Sequence, residues 1–174
     1  MKERLITNSR KWFSLIVAIF LYYLFHEGSH VLVSLIYGVF EKIKILGLGV
    51  QVVANTSELN DIQIAIFCLS GTGTTLIIGY LLTIFSKKIV EINNKIIKAI
   101  FYYTTLAFLL LDPIYQLILY KFVGGGDMNG ILLLNIKEAI IQIFFFIILI
   151  INIFIIIKKI LPLYKKSFND NKED

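Results

Sequence analysis

Four stretches of this 174-residue chain are apolar enough to enter a lipid bilayer and long enough to cross it, which leaves few folds open. A helical crossing needs about 20 residues. The stretches lie at about residues 12–37, 62–85, 97–120 and 139–157, and the last is 19 residues without one charge. In lipid each must be helical, because no water is present to satisfy an open backbone. The first stretch follows Lys2, Arg4, Arg10 and Lys11 in the manner of a signal peptide. It is too long for one and lacks a small-residue cleavage site, so it reads as an uncleaved membrane helix.

Composition agrees with that pattern. Hydrophobic residues make up 57 % of the chain and charged residues only 17 %. Such a balance excludes a soluble globular enzyme, a disordered chain and a secreted module knit by disulfides, and a single cysteine leaves no internal bridge to form. A net charge of +5 is compatible with a nucleic-acid partner, but the basic residues form no patch interleaved with aromatics. They sit between the apolar runs. Of the 17 Lys and Arg residues, 13 fall in the N-terminal tail, the second connection with its edge at Lys98, and the tail after Ile157. Lys42, Lys44, Lys121 and Lys137 fall on the other side. The positive-inside rule then places both termini in the cytoplasm. The expectation is an all-α, multi-pass integral membrane protein, in the cell membrane, with the bilayer as its surroundings and no nucleic-acid partner.

Two connections carry more than length. Residues 42–53 (KIKILGLGVQVV) alternate weakly around Gly47 and Gly49, which predicts a short β-hairpin at the membrane surface after the first helix. Residues 124–130 (GGGDMNG) predict a flexible, turn-rich segment before the last helix. Residues 1–164 form a single membrane-embedded domain on this reading. Residues 165–174 form a polar tail, expected to be disordered.

The first apolar stretch contains His26-Glu27-Gly28-Ser29-His30, and the chain has no other histidine. This is the H-E-x-x-H pattern. Positions i and i+4 project from one helix face, so both imidazoles can meet one metal ion. Glu27 stands beside them, placed to touch a water on the metal rather than the metal itself. Zinc lowers the pKa of such a water towards about 7, and Glu27 would accept its proton. A polar patch of no consequence is the plainer alternative. It is disfavoured because a carboxylate near a helix centre in lipid costs on the order of 2.5–3.5 kcal/mol. A divalent cation offsets that cost.

A catalytic zinc site ordinarily has a third protein ligand. Cys68 lies on another helix and reads as a small apolar filler, so the candidates are acids. His26 is fourteen residues beyond Trp12, about 21 Å, which puts the metal in the outer half of the bilayer. Asp127, on the connection that opens to that side, can fold back to it through its glycine-rich flanks, and is the preferred ligand. It could instead cap the following helix. Asp112 lies about 22 Å into the third stretch and also reaches the right depth. It is the second candidate, or a satisfied acid beside the kink at Pro113. Ser70-Gly71-Thr72-Gly73-Thr74-Thr75 on the second stretch offers close helix packing. A sharper reading is that this helix flanks the metal and helps hold a substrate strand.

With its H-E-x-x-H membrane helix, a glycine-rich central helix and an Asp-containing segment before a later helix, the chain resembles the site-2 protease family of intramembrane metalloproteases. The resemblance covers most of the chain. It implies zinc held by His26, His30 and Asp127, with Glu27 catalytic. It further implies cleavage of transmembrane protein substrates, often to release a regulatory factor. Four features depart from the family pattern. Met128 and Asn129 separate Asp127 from Gly130 where the family has Leu-Asp-Gly. Thr72 and Thr75 occupy the proline and asparagine places of the family's Gly-Pro-x-x-Asn. An additional helix separates the last two motifs, and the charge count turns the metal outward where familiar members turn it towards the cytoplasm. The competing class is a catalytically inactive membrane scaffold or metal-binding protein with the same ligands. An intact Glu27 counts against the scaffold.

Overall fold

The computed structural model describes residues 2–46, 49–123 and 126–170. The chain starts with a long helix, α1 (Lys2–Ile36), which ends where Gly38 takes a left-handed conformation at φ 71°. The Gly38 and Val39 amides donate back to the carbonyls of Leu35 and Ser34, a closure that only a residue without Cβ allows at low cost. The turn feeds a two-stranded antiparallel hairpin, β1 (Phe40–Leu46) and β2 (Gly49–Ala54), with Ile43 opposite Val52 and a bulge near Glu41. The expected hairpin is therefore present. Gly47, at its tip, lies outside the described residues.

Helix α2 (Asp61–Ile84) begins at a reciprocal cap. Asn60 accepts from the Gln63 amide, and the Gln63 side chain accepts from the Asn60 amide. A short α3 (Ser86–Val90) leads to α4 (Lys95–Ile114), capped by Asn94. Pro113 removes one donor from the ladder of α4. The helix then widens to a π turn over Tyr115–Leu119 before α5 (Tyr120–Val123). A helix of about two turns, α6 (Gly126–Leu132), follows where a flexible segment is expected. Gly124 and Gly125 lie outside the described residues. Helix α7 (Glu138–Ile155) runs through a second π turn into α8 (Leu161–Asp170).

Helices α1, α2 and α4 pack mutually, α6 lies on α2, and α7 lies on α4. Four helical stretches are long and apolar enough to cross a membrane: Asn8–Ile36, Asp61–Ile84, Lys95–Phe122 and Glu138–Asn169. Large apolar side chains such as Ile16, Phe20, Ile77, Phe144 and Phe154 face outward. Ser14, Thr75, Thr105, Asp112, Gln116 and Asn152 are wholly enclosed. Water would favour the reverse arrangement, whereas lipid favours this one, since enclosed polar groups can bond between helices. The distribution fits a multi-pass membrane protein with a small surface hairpin.

The C-terminal expectation needs correction. Residues 165–170 are not a loose tail but the end of α8. Tyr164 and Phe168, one turn apart, extend the apolar stripe of the last helix and pack with Ile160 and Ile89. Lys98 donates to the Ser167 hydroxyl at 2.6 Å, and Ser167 donates to the Val90 carbonyl at 2.8 Å. The polar letters of this segment hid that stripe. Residues 171–174 lie outside the described residues.

Candidate metal centre

His26 and His30 stand one turn apart on α1 and turn the same way, with their Nε2 atoms 3.2 Å apart. Their other ring nitrogens are each engaged. His30 Nδ1 lies 2.8 Å from the Phe67 carbonyl oxygen, which can only accept, so Nδ1 carries the proton. The Ser70 hydroxyl is a further neighbour at 3.1 Å, and it donates to the same Phe67 carbonyl. His26 Nδ1 lies 3.0 Å from Asp112 Oδ1, although the oxygen sits off the N–H direction and the contact is an electrostatic pairing more than an aligned hydrogen bond. With its Nδ1 protonated, His30 presents an Nε2 lone pair to His26 Nε2 across 3.2 Å.

Asp127 closes the third side. Helix α6 brings its Oδ2 to 3.4 Å from His26 Nε2 and its Oδ1 to 3.6 Å from His30 Nε2. Both imidazoles are buried and Asp127 is partly so. His26, His30 and Asp127 can together hold one metal ion. Three electron-pair donors converge there, and a cation is what such a donor set accommodates.

Close backbone approach makes the convergence possible at two places. Gly71 on α2 lies beneath the imidazoles, where a Cβ would fall 2.7 Å from Nε2 of both His26 and His30. Gly130 on α6 lies against Cys68 of α2, and a Cβ there would overlap the sulfur. Cys68 is thus the filler its sequence context suggests, and its size sets how near α6 comes. The second helix therefore lies beside the His26, His30 and Asp127 cluster.

Asp112 is fully enclosed and away from the Nε2 side. Its oxygens accept from the Tyr22 hydroxyl at 2.7 Å and from the Thr75 hydroxyl. Of the two acids of suitable depth, Asp127 meets both Nε2 atoms and Asp112 meets an Nδ1. Glu27 stands outside the three-donor cluster. Its Oε2 accepts from the Val52 amide of β2 at 3.0 Å, so the hairpin holds its carboxylate.

Tyr22 and the Phe67 carbonyl are contributors that sequence reasoning missed. Tyr22 had a signal: it precedes His26 by four residues and so shares its face. The carbonyl had none, since every residue carries one. Comparison with known proteins gives no matching family model, no matching curated protein and no matching solved structure.

Proposed function

We propose that this chain is an intramembrane zinc endopeptidase that hydrolyses peptide bonds of membrane-spanning protein substrates, in the manner of the site-2 proteases its motifs resemble. The observation that carries the proposal is the spacing of the three donors. Zinc at about 2.0–2.1 Å from tetrahedral ligands sets them about 3.3 Å apart. Here the two Nε2 atoms lie 3.2 Å apart, and Asp127 meets His26 with one carboxylate oxygen at 3.4 Å and His30 with the other at 3.6 Å, so that one ligand atom from each residue falls within 4.8 Å of the other two. When bound, zinc supplies a Lewis acid that polarises a peptide carbonyl and acidifies water.

The chain's own residues supply the rest. His26, His30 and Asp127 would hold the ion. Glu27 takes a proton from the attacking water and returns it to the departing amide nitrogen. The Val52 amide keeps the Glu27 carboxylate beside His26 rather than on the ion. A substrate helix has its carbonyls tied up in its own ladder, so it must unwind before attack. An extended substrate segment would lie beside the hairpin at residues 42–53 as an added strand. With both termini cytoplasmic, the metal lies in the outer half of the bilayer.

Glu27→Gln in purified, detergent-solubilised protein tests the reading. Bound zinc should stay at the wild-type level, while cleavage of a model membrane substrate falls about 10²–10⁴-fold. Undiminished cleavage would refute the role of Glu27. Zinc bound by the wild type with no cleavage of any membrane substrate would make the chain a metal-binding scaffold.

A further inference from the structure

Asp112 is the most completely enclosed acid among the described residues, and nothing in the hydrolysis above uses it. It sits on α4, the helix that separates the second and third motifs. Its carboxylate ties three helices together: Tyr22 and His26 from α1 and Thr75 from α2 all converge on it. Three partners at one buried carboxylate are more than a structural acid beside a proline kink requires. Two of them are hydroxyls that only donate to it, and the third is the ring nitrogen opposite the metal side of His26.

We infer that Asp112 is a positioning residue for the metal centre: its carboxylate fixes Nδ1 of His26 as the protonated nitrogen and so reserves Nε2 for the ion. The inference rests on the metal reading proposed above. A neutral imidazole carries its proton on either nitrogen, and the partner of one nitrogen decides which. His30 has a carbonyl for this task, which orients the ring without charge. His26 has a full carboxylate, which also raises the basicity of the liganding nitrogen. The Tyr22 and Thr75 hydroxyls stop the carboxylate from turning. The two histidines of one motif are therefore held unequally, one by α2 through its backbone and one by α4 through a charge.

Asp112→Asn isolates the charge from the shape. The amide oxygen can keep the places of Tyr22 and His26. The amide nitrogen then faces Thr75, whose hydroxyl can donate to the Thr72 carbonyl 3.1 Å away and accept from the amide. The variant should fold, with the thermal transition of the metal-free protein unchanged. Its zinc affinity, measured by competition with a chelating indicator, should fall about 10–100-fold. A purely structural role would do the opposite, lowering the transition temperature and leaving the affinity of the folded protein alone. A second measurement needs no variant: histidine ¹⁵N NMR of the zinc-loaded wild type should show His26 protonated at Nδ1 and bound through Nε2. Unchanged zinc affinity in Asp112→Asn, or His26 bound through Nδ1, overturns the inference and leaves the metal reading standing. Zinc retained in Asp127→Ala but lost in Asp112→Asn would make Asp112 a ligand, and overturns it too. A wild type that binds no zinc removes both readings.

Discussion

Residue identity matters most where a side chain has no room. Gly71 is the sharpest case, because a Cβ there meets the Nε2 atoms of both histidines at 2.7 Å. Neither ring can retreat without leaving its Nδ1 partner. Gly71→Ala is expected to weaken zinc binding at least tenfold, read with the same chelator competition. Gly73→Ala is the control, two residues along the same helix with open space around its Cβ position, and zinc affinity should stay at the wild-type value. Equal losses in both would mean that α2 glycines act through helix flexibility and not through contact. The sequence marks Gly71 only as one small residue in a run of them. Its difference from Gly73 is a matter of which side of α2 meets α1.

Among the elements, α6 departs most from what local sequence suggests. GGGDMNG reads as a turn, yet Gly126–Leu132 is helical and Met128 and Ile131 are buried in a cluster with Cys68, Tyr120 and Phe145. Tertiary burial of those two apolar side chains overrides the weak helix propensity of glycine and asparagine. The same packing seats Asp127, so α6 should be sensitive to its footing on α2. Gly130→Ala is expected to push α6 away through the Cys68 sulfur and to lower zinc affinity. Cys68→Ala alone should have little effect, and Cys68→Ala combined with Gly130→Ala should recover part of the loss. Full additivity of the two substitutions would show that the contact does not set the position of Asp127. The Met128-Asn129 spacing that separates this chain from Leu-Asp-Gly has a simple consequence in the helix. Gly130 lies one turn after Asp127, so the residue that permits the approach and the residue that uses it share one face.

At the scale of the whole molecule, apolar residues lie outside and a polar layer lies inside. That layer runs from the Phe67 carbonyl through Ser70, Thr72 and Thr75 to Asp112, beside the two histidines. Four crossings would leave both termini on one side, and the distribution of basic residues predicts the cytoplasmic side. Reporter fusions at the two ends should therefore both report a cytoplasmic location. Ends on opposite sides would show that one of the four helices does not cross. The docking of α8 through Tyr164 and Ser167 adds a helical buttress at the end where α4 begins.

By itself the sequence determined the number of long apolar helices, the hairpin after the first, and the shared face of His26 and His30 with Glu27 beside it. These are local properties, set by hydropathy over about 20 residues and by 3.6 residues per helical turn. The sequence also narrowed the remaining ligand to two acids by depth. Depth along a helix says nothing of which way a neighbouring helix is turned, so it could not separate Asp112 from Asp127. Only the tertiary structure decided that Asp127 meets both Nε2 atoms while Asp112 stands behind His26. The physical reason is that these contacts join residues about 90–100 positions apart. Their geometry follows from how closely α2 and α6 approach at Gly71 and Gly130, where there is no side chain to keep them apart.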